Sequence, residues 1–279
     1  MTLRTRNKIY LILFIVSIVF LLAGAGLTIY LSLDGKVHLG EGVISKKGTV
    51  SASVIAVLMF LAYIPAASGF VCFGFEKTSA DEAIFFLVYL ICTFLESMRL
   101  IYPDQEILIA LVKNFKIVYP ATGIPSTSTL IVTISKLVVF VRSMAYLSLL
   151  CLPLFPLLKK YLTAEEILGL AAAISVLTSV LCKVRINEFQ KNFTHAIANY
   201  AQFSWAIAFV FLATFLLIGN FINIRMKKRI PEALGYLGMM VGHLVLSHAD
   251  SFAMLVVSAS VFLIGTTVYL RTMHARLNS

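Results

Sequence analysis

Long apolar runs recur along this chain at close to the length a bilayer demands, and nothing else in the sequence restricts the fold as strongly. A hydrocarbon core of about 30 Å is crossed by roughly 20 apolar residues in a helix. Runs of that kind occupy 9–33, 50–75, 83–102, 130–152, 164–182 and 196–222. The last apolar stretch, 231–270, is too long for one crossing, because about 40 residues rise about 60 Å at 1.5 Å per residue. It is therefore divided at SHADS (247–251) into spans 231–247 and 252–270. In lipid each backbone polar group must be satisfied within its own segment, which leaves helices as the spanning element for runs of this length. The fold class read from the sequence is all-α: a polytopic transmembrane helical bundle of about eight spans, forming one integral-membrane domain over 1–279.

Several boundaries follow from local chemistry. The basic leader MTLRTRNK resembles the start of a signal peptide, but the apolar run after it is too long for a cleaved signal, so it reads as an uncleaved first span. Pro65 sits within the second run and predicts a kink, because proline removes a backbone donor and crowds the preceding turn. Pro103 closes the third run, and Pro153 and Pro156 close the fourth. Thr163 and Glu166 have the spacing of a capping box at the start of the fifth. Residues 106–119 are apolar but short, and Leu108, Leu111, Val112 and Phe115 share one helical face beside Lys113 and Lys116. They read as an interfacial amphipathic helix. A crossing there would make nine spans, and seven is the neighbouring count below.

Composition excludes the water-soluble classes: 60% of the residues are hydrophobic and 13% charged, against about 25% charged in an ordinary soluble domain. The net charge of +10 does not indicate nucleic acid, since Lys and Arg punctuate apolar runs and do not gather on one exposed face. The basic leader and RMKKR (225–229) instead place the N- and C-termini on the cytoplasmic side under the positive-inside rule. They also suit membrane lipids with anionic headgroups, and a protein partner at the basic cytoplasmic face. Cys72, Cys92, Cys151 and Cys182 lie in or at the edge of separate apolar segments without CxxC spacing, so neither a disulfide framework nor a zinc site is indicated. The sequence contains no P-loop, HExxH or GxSxG. No catalytic residue, cofactor or metal is assigned, and an enzyme is the less favoured class.

Function is therefore sought among charges inside the spans, which are costly there and usually face protein or water. The stretch CTFLESMRL carries Glu96 and Arg99, and the fourth span carries Lys136 and Arg142. Counting 1.5 Å per residue from the midpoint of each run puts Glu96 and Lys136 at about one depth, as a buried pair. Arg99 lies a turn nearer the surface, and Arg142 close to the bilayer midpoint without an acidic residue at its level. Arg142, Lys136, Glu96 and Arg99 are the candidate ligand-binding residues for a small or lipid-like anion. The alternative for Arg142 is a purely structural contact, with backbone carbonyls or with Glu96 after a boundary shift of about four residues. In GHLVLSHAD, His243, Ser247 and Asp250 share a helical face if the helix persists, so that His243 and Asp250 form a candidate polar relay. Two such groups without a third make a weak metal signal. Gly238 and Gly242 form a GxxxG with Gly235 one turn earlier, suited to close helix packing in the bundle or to a homo-oligomer.

The function expected is a non-enzymatic sensory or ligand-binding module for a small or lipid-like anion. The alternatives are a secondary transporter or a subunit of a larger membrane complex.

Overall fold

The structure, a computed structural model, describes residues 3–33, 46–75, 82–97, 127–158, 161–181, 208, 211–218, 229–247 and 251–278. Among these it is helical throughout, with no strand. We number the helices α1 (Leu3–Leu33), α2 (Lys46–Gly74), α3 (Glu82–Glu96), α4 (Thr127–Leu158), α5 (Ala164–Leu181), α6 (Ile230–Ser247) and α7 (Phe252–Asn278). Residues 211–218 form a further helical stretch. All of these but α3 and 211–218 are long and apolar enough to cross a membrane, which makes six candidate spans. The chain is a multi-pass integral membrane protein. The expected interfacial helix at 106–119, together with Arg99 and Asp250, lies outside the described residues.

Most helix ends match the local chemistry. At the start of α5 the Thr163 backbone N–H donates to Glu166 Oε2 at 2.8 Å, and Glu166 N–H returns a bond to Thr163 Oγ1 at 3.3 Å. This is the reciprocal capping box. Helix α6 carries Pro231 in its first turn, where a missing backbone N–H costs nothing. The helix ends at Ser247 and α7 begins at Phe252, so the break falls within SHADS as expected.

Two prolines behave differently from expectation. Helix α4 does not stop at Pro153; it runs through Pro153 and Pro156 to Leu158. Unwinding in an apolar setting would strand more backbone polar groups than the two donors these prolines remove, so the helix continues. Helix α2 contains Pro65 within its span, as expected, and the Pro65 carbonyl accepts from Ser68 Oγ at 3.3 Å.

The helices pack α1 on α2, α2 on α3, α3 on α4 and α4 on α5, while α6 and α7 form a hairpin that docks against α2. The hairpin is the tightest pair, and glycine explains why. A Cβ on Gly242 would stand 2.5 Å from Phe262 Cα, one on Gly235 2.6 Å from the Tyr269 backbone nitrogen, and one on Gly238 3.2 Å from Gly265 Cα. The small-residue face of α6, including Gly238 and Gly242, is therefore filled by α7 of the same chain.

At the end of the bundle where α3 and α6 begin, polar side chains tie helix termini together. Arg6 Nη2 donates to the Phe75 carbonyl at 2.6 Å, just past the C-terminus of α2, and the Tyr10 hydroxyl donates to the Ala83 carbonyl at 2.7 Å. Cationic groups at helix C-termini are favoured by the macrodipole. Arg276, in the last turn of α7, reaches Glu82 at 3.2 Å and Glu232 at 3.3 Å, and Arg229 pairs with Glu232 at 2.7 Å. The hydrogen bonds from Arg229 to Glu232 hold the guanidinium above its ordinary range.

Candidate functional site

Tyr89 and Glu96 are seven residues apart on α3, Arg142 and Tyr146 four apart on α4, and His243 and Ser247 four apart on α6. At 3.6 residues per turn each pair shares a face, and the three faces meet inside the bundle. Arg142 donates to one oxygen of Glu96, from Nε at 3.0 Å and from Nη2 at 2.8 Å. His243 Nε2 stands 3.8 Å from the other oxygen, Oε2. On the far side of the imidazole, Nδ1 is 3.0 Å from the Tyr89 hydroxyl.

Glu96 is 1% exposed, Arg142 2% and His243 0%. Charges so removed from solvent persist only when they are paired. Glu96 and Arg142 compensate one another, and a neutral His243 adds no charge. The imidazole is enclosed by rings from four helices: Phe60 of α2 at 4.8 Å between centroids, Tyr89 of α3 at 5.3 Å, Tyr146 of α4 at 5.4 Å and Phe262 of α7 at 5.9 Å. The cluster thus joins five helices, and it lies about 21 Å along α3 from Glu82, fourteen residues at 1.5 Å each.

The pairing differs from the one expected by depth. Glu96 is bound by Arg142, and Lys136 is elsewhere: its Nζ is 3.5 Å from the Val180 carbonyl, toward α5, while its own carbonyl accepts from Ser179 at 2.7 Å. Arg142, six residues beyond Lys136 on α4, reaches Glu96 as the structural alternative allowed, because helix tilt and rotation, which a count of rise from span midpoints leaves out, set which side chains meet. Arg142 therefore does have an acidic residue at its level.

Of the other candidates, His243 lies in the cluster, Arg99 and Asp250 lie outside the described residues, and Ser247 is buried on α6. The sequence reading missed Tyr89, Tyr146 and Phe60, and it did not join His243 to Glu96. The seven-residue spacing of Tyr89 and Glu96 and the four-residue spacing of Arg142 and Tyr146 were the available signals. Among the described residues no three His, Cys, Asp or Glu side chains come together as a metal site would require.

Compared with protein-family models, with curated proteins and with solved structures, the chain matches none of them.

Proposed function

We propose that the protein is a proton-coupled carrier of a small anion, with Arg142, Glu96 and His243 as its working groups. The observation that carries this reading is the direct contact of a buried carboxylate and guanidinium, with an imidazole 3.8 Å from the second carboxylate oxygen. An anion that engaged Arg142 would displace Glu96 and add one negative charge to the buried cluster, at a cost of several kcal/mol. One proton on His243 or Glu96 restores neutrality. Anion and proton therefore arrive and leave together.

Among the described residues, the titratable and charged groups around the cluster are Tyr89, Cys92 and Glu96 from α3, Arg142 and Tyr146 from α4 and Tyr63 from α2, while α2 and α7 also present the Phe60 and Phe262 rings. Ionisable residues within spans commonly serve proton relays in transporters. Lys136, turned to α5, is not part of this site.

Purified protein in liposomes containing a pH-sensitive dye tests the reading, with lactate, succinate and inorganic phosphate as probes under an inward acid gradient. The expected result is uptake of one probe with acidification of the lumen, absent from protein-free vesicles and lost in Glu96→Gln and His243→Gln. A probe that protects the protein against thermal unfolding but does not cross would make it a sensory binding module. Neither protection nor uptake by any probe would reduce the cluster to a structural link between helices.

A further inference from the structure

An ionised carboxylate accepts hydrogen bonds and has none to give. Facing Glu96 Oε2 at 3.8 Å, the neutral His243 ring is therefore favoured with its proton on Nε2. That leaves the lone pair on Nδ1, and the group 3.0 Å from it is the Tyr89 hydroxyl, which can either donate or accept.

We infer that Tyr89 is the positioning residue of the site: its phenol donates to Nδ1, holds His243 in the Nε2–H form aimed at Glu96, and marks Nδ1 as the atom that takes the coupled proton. The first two statements rest on geometry; the third rests also on the carrier reading above. When a proton from hydronium on the acidic side adds to Nδ1, leaving water, the new N–H points to the phenol oxygen and Tyr89 changes from donor to acceptor. Its own proton stays on oxygen and needs a new acceptor. The Thr93 and Tyr63 hydroxyls, both beside the Tyr89 phenol, have lone pairs that can take it. A tyrosine suits this position because phenylalanine offers no donor and a carboxylate would add a second buried charge.

Nitrogen-15 spectroscopy of the full chain, labelled at histidine and held in lipid nanodiscs, tests the inference without reference to transport. The chain has five histidines, and the His243 signals are those lost in His243→Gln. The neutral ring is expected to carry its proton on Nε2 and to show Nδ1 at the position of a hydrogen-bonded acceptor. Tyr89→Phe is expected to shift that Nδ1 signal to the unbonded position. A wild-type ring protonated on Nδ1 would overturn the assignment even if Tyr89→Phe did not fold, and so would an unmoved Nδ1 signal in a folded variant. Loss of coupled uptake with the Nε2–H form intact would instead remove the carrier reading and the role of Nδ1 in it, and leave the orienting role of Tyr89.

Discussion

Arg142 and Glu96 meet through two hydrogen bonds to a single carboxylate oxygen, with the second oxygen turned toward His243. Removing either partner strands the other's charge in the bundle, which for a buried pair costs about 3–5 kcal/mol. Arg142→Gln and Glu96→Gln are each expected to fall in that range when unfolding is followed in detergent. The double variant, which removes both charges of the pair, is expected to recover much of the loss. Additive costs would show that the two side chains do not depend on one another.

Lys136→Ala separates the pairing seen here from the one expected by depth. Its amine is 3.5 Å from a backbone carbonyl at the partly exposed edge between α4 and α5, so stability is expected to change by no more than about 0.5 kcal/mol. A loss as large as that of Arg142→Gln would restore Lys136 as the partner of Glu96.

The α6–α7 hairpin has no room for side chains at its closest points. Gly242→Ala places a Cβ 2.5 Å from Phe262 Cα and Gly235→Ala places one 2.6 Å from the Tyr269 backbone nitrogen, so backbone must move in both. Each is expected to cost about 1–3 kcal/mol, the range for overpacking. Gly238→Ala meets Gly265 Cα at 3.2 Å and is expected to cost less. Thermal unfolding of the three variants, ranked against wild type, checks the order. A Gly238 variant more damaged than the Gly242 variant would contradict the packing.

Arg276 bridges Glu82 and Glu232, but its side chain is 29% exposed, so solvent weakens both pairs. Arg276→Gln is expected to cost about 1 kcal/mol or less, and less still in high salt. Unfolding midpoints at low and high ionic strength measure this directly. A salt-independent loss comparable to that of the Glu96 pair would mean that Arg276 bears on the core.

Much of the helical layout was legible without coordinates, because the physics involved is local. The break at SHADS follows from the length of 231–270 against the thickness of a bilayer, and the Thr163 and Glu166 cap from two side chains three residues apart. The end of α4 was not legible: Pro153 and Pro156 break a helix in water, but in an apolar setting the unpaired backbone is costlier than the kink. Nor was the pairing: a count of rise per residue carries no helix tilt or rotation, and it set Glu96 beside Lys136 where the structure sets it beside Arg142.

The apolar runs alone determined that this chain is helical, multi-pass and membrane-embedded, since burying an unsatisfied backbone in lipid is more costly than any side-chain preference can offset. They also marked Glu96, Arg142 and His243 as residues whose burial needs a reason. Which of them meet was decided only by tertiary structure. Contact between α3, α4 and α6 depends on helix ends, rotation and the glycine faces that let α6 approach α7, and these are settled together by packing across segments up to 154 residues apart.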